Sequence, residues 1–223
     1  MIVKIIIAVI LLAVLIHYGI KFAKHKSLYP FMPFKYNFRR RRITFAKTLK
    51  LLDERNVKTL VETGTSREGL NNTKGDGGAT IVFGKWAQQN NAKMHSVDIS
   101  EDSIKGSQSE VDNQKLNDTV TVHLNDSLAF LKTFDKPVDF LYLDSYDYSK
   151  TDTDIQRKSQ EHHLKEFKII EDKLHKDSIV LIDDCGLPGG GKGKTVIAYM
   201  LEKNWKVLID AYQVLLVKEE SLS

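Results

Sequence analysis

The chain has 223 residues, 42% hydrophobic and 28% charged, a balance that suits one good-sized globular domain with an appendage. Its formal net charge of +4 is small, and Lys and Arg crowd residues 21–58, which argues against a general nucleic-acid binder. The single cysteine, Cys185, excludes an internal disulfide framework and a cysteine-rich zinc site.

Ile5 to Ile16 is an unbroken apolar run, which residues 17–22 extend. Lys4 and Lys21 bracket it and can snorkel toward head groups, so the segment spans most of a bilayer. A cleaved signal peptide is the rival reading, but no small-x-small cleavage site follows the run. An uncleaved anchor over residues 1–22 is therefore expected. Lys4 precedes the run, whereas Lys21, Lys24, Lys26, Arg39, Arg40, Arg41 and Arg42 follow it. The positive-inside bias then puts the globular part on the cytoplasmic side of a single-pass membrane protein. Residues 23–42, with Pro30 and Pro33, read as a basic juxtamembrane linker. Its four arginines either touch anionic lipid heads or are merely solvated.

From residue 43 the pattern alternates. An amphipathic helix over 43–56 carries Phe45, Leu49 and Leu52 on one face. Strands are predicted at 58–63, 93–97, 119–124, 138–143, 178–182, 205–210 and 212–217, and helices at 78–91, 101–116, 126–133, 155–175 and 194–203. Helices between strands predict a doubly wound, mostly parallel seven-stranded α/β sheet. The last two strands have almost no connector, so an antiparallel hairpin closes the sheet. The domain layout is then 1–22 anchor, 23–42 linker and 43–223 catalytic-type domain.

Ligands of such sheets bind outside the carboxyl ends of the strands. The first strand ends in Glu62-Thr63-Gly64-Thr65-Ser66, and the second in Asp98. A glycine turn leaves backbone room, and a carboxylate at the next strand tip can accept hydrogen bonds from ribose hydroxyls, which suits a nucleoside cofactor. Asp126 and Ser127 follow the third strand, Asp144 the fourth, and Asp183 and Asp184 the fifth. Three carboxylates converging from adjacent strand ends repel unless protonated or bridged by a cation, and hard oxygen ligands suit Mg²⁺, Mn²⁺ or Ca²⁺. The bland alternative is that they cap helices or face water. His162 and His163, between the fourth and fifth strands, are candidate general bases or ordinary helix-surface histidines.

The order Glu62…Gly64, Asp98, Asp126-Ser127, Asp144 and a terminal hairpin resembles the class I S-adenosylmethionine-dependent methyltransferases over residues 45–217. The resemblance implies that Glu62, Gly64, Thr65 and Ser66 approach the methionine part of the cofactor, that Asp98 binds ribose, and that Asp126 and Ser127 flank adenine. The Asp144 and Asp183-Asp184 pattern looks like metal-dependent O-methyltransferases acting on sugar or catechol hydroxyls. It implies a divalent ion, Mg²⁺ or Mn²⁺, on Asp144, Asp183 and Asp184, with Asp144, His162 or His163 catalytic. The expected partner is a small-molecule or lipid-linked hydroxyl acceptor, with no nucleic acid; oligomeric state is not legible.

Two departures stand out. The turn GTSREG lacks G-x-G-x-G, and both the 66–78 loop and the 144–183 stretch are long. Three rivals remain. LPGGGKGKT has the context of a phosphate loop but carries Pro188 where its first glycine belongs. An NAD-dependent oxidoreductase shares the acid at the second strand tip but needs G-x-G-x-x-G. A membrane-tethered module keeping the fold without turnover is the non-enzymatic alternative.

Overall fold

The computed structural model describes residues 2–222. Helix α1 (Ile2–His25) has no buried residue, so its apolar side chains all face outward from the protein. Its 24 residues make it long and apolar enough to cross a membrane. At 1.5 Å per residue it reaches about 36 Å, against a hydrocarbon core of about 30 Å.

Residues 26–40 fold back onto the domain. Met32 and Phe38 are fully buried in its core. Arg42 clamps the segment by donating to the carbonyls of Met32 and Tyr36, both at 2.5 Å, and of Pro33 at 3.3 Å. The four-arginine run is thereby split, since Arg42 serves the linker and Arg41 turns into the domain.

Helix α2 (Arg41–Glu54) begins two residues before the apolar pattern predicts. The sheet contains β1 (Thr59–Thr63), β2 (Lys93–Asp98), β3 (Val120–Leu124), β4 (Val138–Leu143), β5 (Leu174–Ile182), β6 (Trp205–Asp210) and β7 (Val214–Lys218). Their order is β3-β2-β1-β4-β5-β7-β6. β1 to β5 run parallel, and β7 pairs antiparallel with both β5 and β6. The expected doubly wound sheet with its closing hairpin is thus the architecture. Between the strands lie α3 (Ala79–Gln89), α4 (Glu101–Asn113), α5 (Ser127–Thr133), α6 (Thr153–Ile170) and α7 (Lys194–Glu202).

Alternation along each strand builds a core on each face of the sheet. Phe140 and Tyr142 pack with Phe45 of α2 and Phe83 of α3, whereas Leu141 and Leu143 pack with Phe167 of α6 and Met200 of α7. Boundaries around β5 and β7 also differ from expectation. α6 ends at Ile170 and β5 begins at Leu174, because Leu174 pairs with Val138 ahead of an irregularity and Ser178 Oγ donates to the Val138 carbonyl at 2.7 Å. β7 starts at Val214 rather than 212, because Tyr212 and Gln213 turn toward Asp184 and Tyr142.

Candidate functional site

A cleft of about 620 Å³ opens at the carboxyl ends of β1, β2, β4 and β5. The switch point between β1 and β4, where strand order reverses, is the expected ligand crevice of an open sheet. One side is built by the β1 turn. Gly64 has φ +83°, and a Cβ there would lie 2.4 Å from the Asp144 carbonyl oxygen. Only glycine lets these two strand ends approach so closely. Asp98 lines the same side, with one carboxylate oxygen accepting from Thr65 N–H at 3.2 Å and the other from Ser100 N–H at 2.8 Å. Each oxygen keeps a lone pair for a ligand. Asp126 caps α5 by accepting from Ala129 N–H at 2.9 Å, and with Ser127 it forms the next wall.

Glu62 and Ser66 lie beneath this lining rather than in it. Glu62 is 1% exposed and accepts from Thr80 Oγ1 at 2.7 Å and Ser96 Oγ at 2.5 Å. Burial pushes its carboxyl up to about 8, against the pull of those two hydrogen bonds. Ser66 exchanges hydrogen bonds with Thr80, so both residues brace the turn from below. Thr65 does reach the cleft, and its hydroxyl bonds Ser107 at 2.6 Å.

The other side carries Asp144 and Asp184, with Asp183 fully buried behind them. The expectation of a metal on these three carboxylates needs correction. Arg41 Nε donates to both Asp183 oxygens, at 2.8 and 3.1 Å, and its Nη2 sits 2.7 Å from Asp183. Lys192 Nζ lies 2.8 Å from Asp144 and 3.5 Å from Asp184. Tyr212 donates to Asp184. The oxygens that would ligate an ion are already turned to two protein cations and a phenol. Among the described residues no three His, Cys, Asp or Glu side chains converge as a ligand group. The donor set does not fit a divalent ion.

The electrostatics follow from that arrangement. Burial alone would raise the Asp183 carboxyl, but Arg41 more than offsets it and holds the group below its ordinary range. Burial and the neighbouring Asp183 charge push Asp144 well up, with Lys192 opposing. Lys192 is held protonated by Asp144 and Asp184 although it is 3% exposed. Gly191 explains how it gets there. Its φ is +58°, and a Cβ would meet the Asp184 carbonyl oxygen at 1.9 Å, so the glycine loop folds tightly over the β5 end and delivers Lys192 inward.

The two histidines separate. His162 lines the cleft, with Nε2 3.0 Å from Ser127 Oγ and 3.3 Å from Glu166 Oε1. Burial would raise Glu166, but hydrogen bonding from His162 and nearby His163 hold it low. His163 faces the interior at 0% exposure, bonds the Ser159 carbonyl at 2.7 Å, and is pushed down to about 4 by burial. It does not reach the cleft, so the expectation of a general base there is corrected. Arg41, Lys192, Glu166 and the cleft residues Arg67 and Asp76 were not singled out as site residues from the sequence. For Glu166 a signal existed, its i,i+4 spacing from His162 on one helix face.

This fold and cleft define a Rossmann-like α/β domain with an open cleft at its strand tips. A family profile described as "Methyltransferase domain" matches residues 74–185, half of the chain. The chain belongs to that family and is a class I S-adenosylmethionine-dependent methyltransferase. No curated protein matches it. Solved structures agree in fold. The Podospora anserina methyltransferase PaMTH1, bound to S-adenosylhomocysteine, is 15% identical with a TM-score of 0.60, covering 82% of this chain and 80% of that one. An O-methyltransferase from Bacillus cereus, in complex with S-adenosylhomocysteine, is 14% identical with a TM-score of 0.55, covering 79% and 81%. The O-methyltransferase TomG from Streptomyces achromogenes, in complex with S-adenosylmethionine, is 14% identical with a TM-score of 0.55, covering 79% and 80%.

Proposed function

We propose that the chain methylates an oxygen nucleophile without a divalent metal, from a domain tethered by α1 to the cytoplasmic face of a membrane. The observation that carries this reading is the single cleft lined both by Gly64 and Asp98 and by Asp144, His162 and Lys192. The first pair suits the cofactor. Asp98, fixed by two backbone N–H groups, would hold the ribose, and the open Gly64 turn would face the methionine part. Bound there, S-adenosylmethionine supplies an electrophilic methyl group on a sulfonium.

The second group suits an acceptor. Asp144 takes the hydroxyl proton, since burial beside Asp183 raises its proton affinity above that of an ordinary carboxylate. Lys192 stays protonated and orients the acceptor oxygen, while Arg41 keeps Asp183 ionised. Three carboxylates against two cations leave one formal negative charge, which complements a sulfonium. Positioning supplies much of the remaining rate. The names of the Bacillus cereus and Streptomyces neighbours support oxygen as the target.

The test is methyl transfer to a panel of phenolic, sugar and lipid-linked hydroxyls with tritiated donor. Activity should survive excess chelator, and Asp144→Asn should lower turnover while S-adenosylhomocysteine affinity holds. Loss of activity in chelator, restored by Mg²⁺, would falsify the metal-free reading. The membrane tether rests on the length and apolarity of α1 and on the eight Lys and Arg residues that follow Ile16 by residue 42. Protease added to sealed cells should leave the domain intact; cleavage from outside would reverse the orientation.

A further inference from the structure

A second cleft, about 390 Å³, adjoins the first and shares Arg41, Gly75 and Asp184 with it. Five cations line it: Arg39, Arg40, Arg41, Lys74 and Lys150; Asp184 is its one carboxylate. Arg41 is committed to Asp183, and Asp184 to Arg41, Lys192 and Tyr212. The other four cations come from three separate chain segments, and no carboxylate lies within ion-pair distance of any of them among the described residues.

Gathering like charges around one concavity is unfavourable unless an anion occupies it. The protein holds them there with some care. Arg39 adopts φ +47°, with its N–H on the Asn37 side chain, and Arg40 lies over the Tyr212 ring at 5.8 Å. The α2 N-terminus, whose cap residue Arg40 makes no side-chain cap, adds the positive end of a helix dipole. Guanidinium and ammonium groups in such a set match phosphate oxygens.

We propose that the second cleft binds a phosphate group of the methyl acceptor, so that the acceptor is a phosphate ester or diphosphate whose hydroxyl passes Arg41 and Asp184 into the first cleft. The inference rests on the methyl-transfer reading for the word acceptor, but the anion site itself does not. The same chemistry is offered by a lipid phosphate and by a soluble phosphate ester. Arg39 and Arg40 belong to the segment that joins the domain to α1, so either source has access.

The test uses the full chain in nanodiscs of phosphatidylcholine, titrated calorimetrically with inorganic pyrophosphate and separately with S-adenosylhomocysteine. Pyrophosphate should bind one to one. Arg40→Gln with Lys150→Gln should weaken it about tenfold or more, the loss expected from charged hydrogen bonds, and leave S-adenosylhomocysteine affinity unchanged. Both side chains are exposed, so the variant should keep its fold. Discs made from equal parts phosphatidylcholine and phosphatidylglycerol identify the source. Weaker pyrophosphate binding there, in wild type only, supports a lipid phosphate; unchanged binding supports a soluble ester. Equal pyrophosphate affinity in wild type and variant, or none in either, overturns the proposal. Failure of wild type to bind S-adenosylhomocysteine instead overturns the methyl-transfer reading and leaves the anion result standing.

Discussion

Replacing Arg41 by Met tests the internal counter-charge most directly. Arg41 is 6% exposed and Asp183 is 0% exposed, and their contact has three nitrogen–oxygen distances of 2.7–3.1 Å. Removing the guanidinium leaves Asp183 buried beside Asp144 with no strong partner. Breaking such a pair from one side costs about 3–5 kcal/mol. An independent route gives a similar figure. The variant escapes by protonating Asp183, and taking a carboxyl of ordinary affinity to its acid form at pH 7 costs about 4 kcal/mol, roughly three units at 1.36 kcal/mol each. The lost bond to the Gly75 carbonyl adds about 1 kcal/mol that does not depend on pH. The sign of the pH effect follows. In wild type the depressed Asp183 contributes stability above its unfolded value of 3.8, and loses it as pH falls through its lower folded value. In the variant the carboxyl is raised instead, so acidification relieves the penalty. Urea unfolding of the full chain in detergent, followed by fluorescence of the buried Trp86 and Trp205, reads this out. The difference between the proteins should shrink by about 1.4 kcal/mol per pH unit between pH 7 and 4. A cost under about 1 kcal/mol at pH 7, or a difference that ignores pH, refutes the reasoning.

Two further outcomes are expected. Asp98→Ala should weaken S-adenosylmethionine binding by about 1–3 kcal/mol without unfolding the chain, since the side chain sits at a strand tip with both oxygens facing backbone N–H groups; an unchanged calorimetric affinity removes it from the ribose site. Glu62 titrates near 8 in the fold against an ordinary 4.5, so its contribution is complete below pH 4.5 and is lost as pH rises through about 8. Wild type should therefore lose stability over that window relative to Glu62→Gln, and parallel stability–pH curves for the two proteins would show that Glu62 ionises normally.

The central strands β1, β4 and β5 were legible because they are short runs covered on both faces, and the tips of β1 to β5 were legible because parallel strands send them all to one edge. Gly64, Asp98, Asp126 and Asp144 fell on the cleft for that reason alone. Side-chain direction was not legible. His162 and His163 are adjacent, yet a helix turns about 100° per residue, so one faces the cleft and the other the core. Glu62 also follows from strand geometry, since Thr63 and Glu62 point to opposite faces and neither points out of the strand end.

What most changed the chemistry was a pair of cations hidden in unpromising sequence. Arg41 sits in a four-arginine run that reads as lipid-facing or solvated charge, and Lys192 in a glycine-rich stretch that reads as an imperfect phosphate loop. Each is placed by a feature that acts at long range. The Arg42 clamp on the 32–36 carbonyls fixes the start of α2, and so aims Arg41 at a carboxylate 142 positions away. The Gly191 contact with the Asp184 carbonyl fixes Lys192 against a carboxylate 48 positions back. An acidic cluster in sequence is therefore a statement about half of an electrostatic balance. Whether a metal or the protein supplies the other half depends on which cations the fold brings to it, and here the start of α2, just after the 26–40 segment, supplies one of them. That coupling gives the linker a part in the site: a change that loosens residues 26–36 should reach Asp183 through Arg41, although none of those residues lines either cleft.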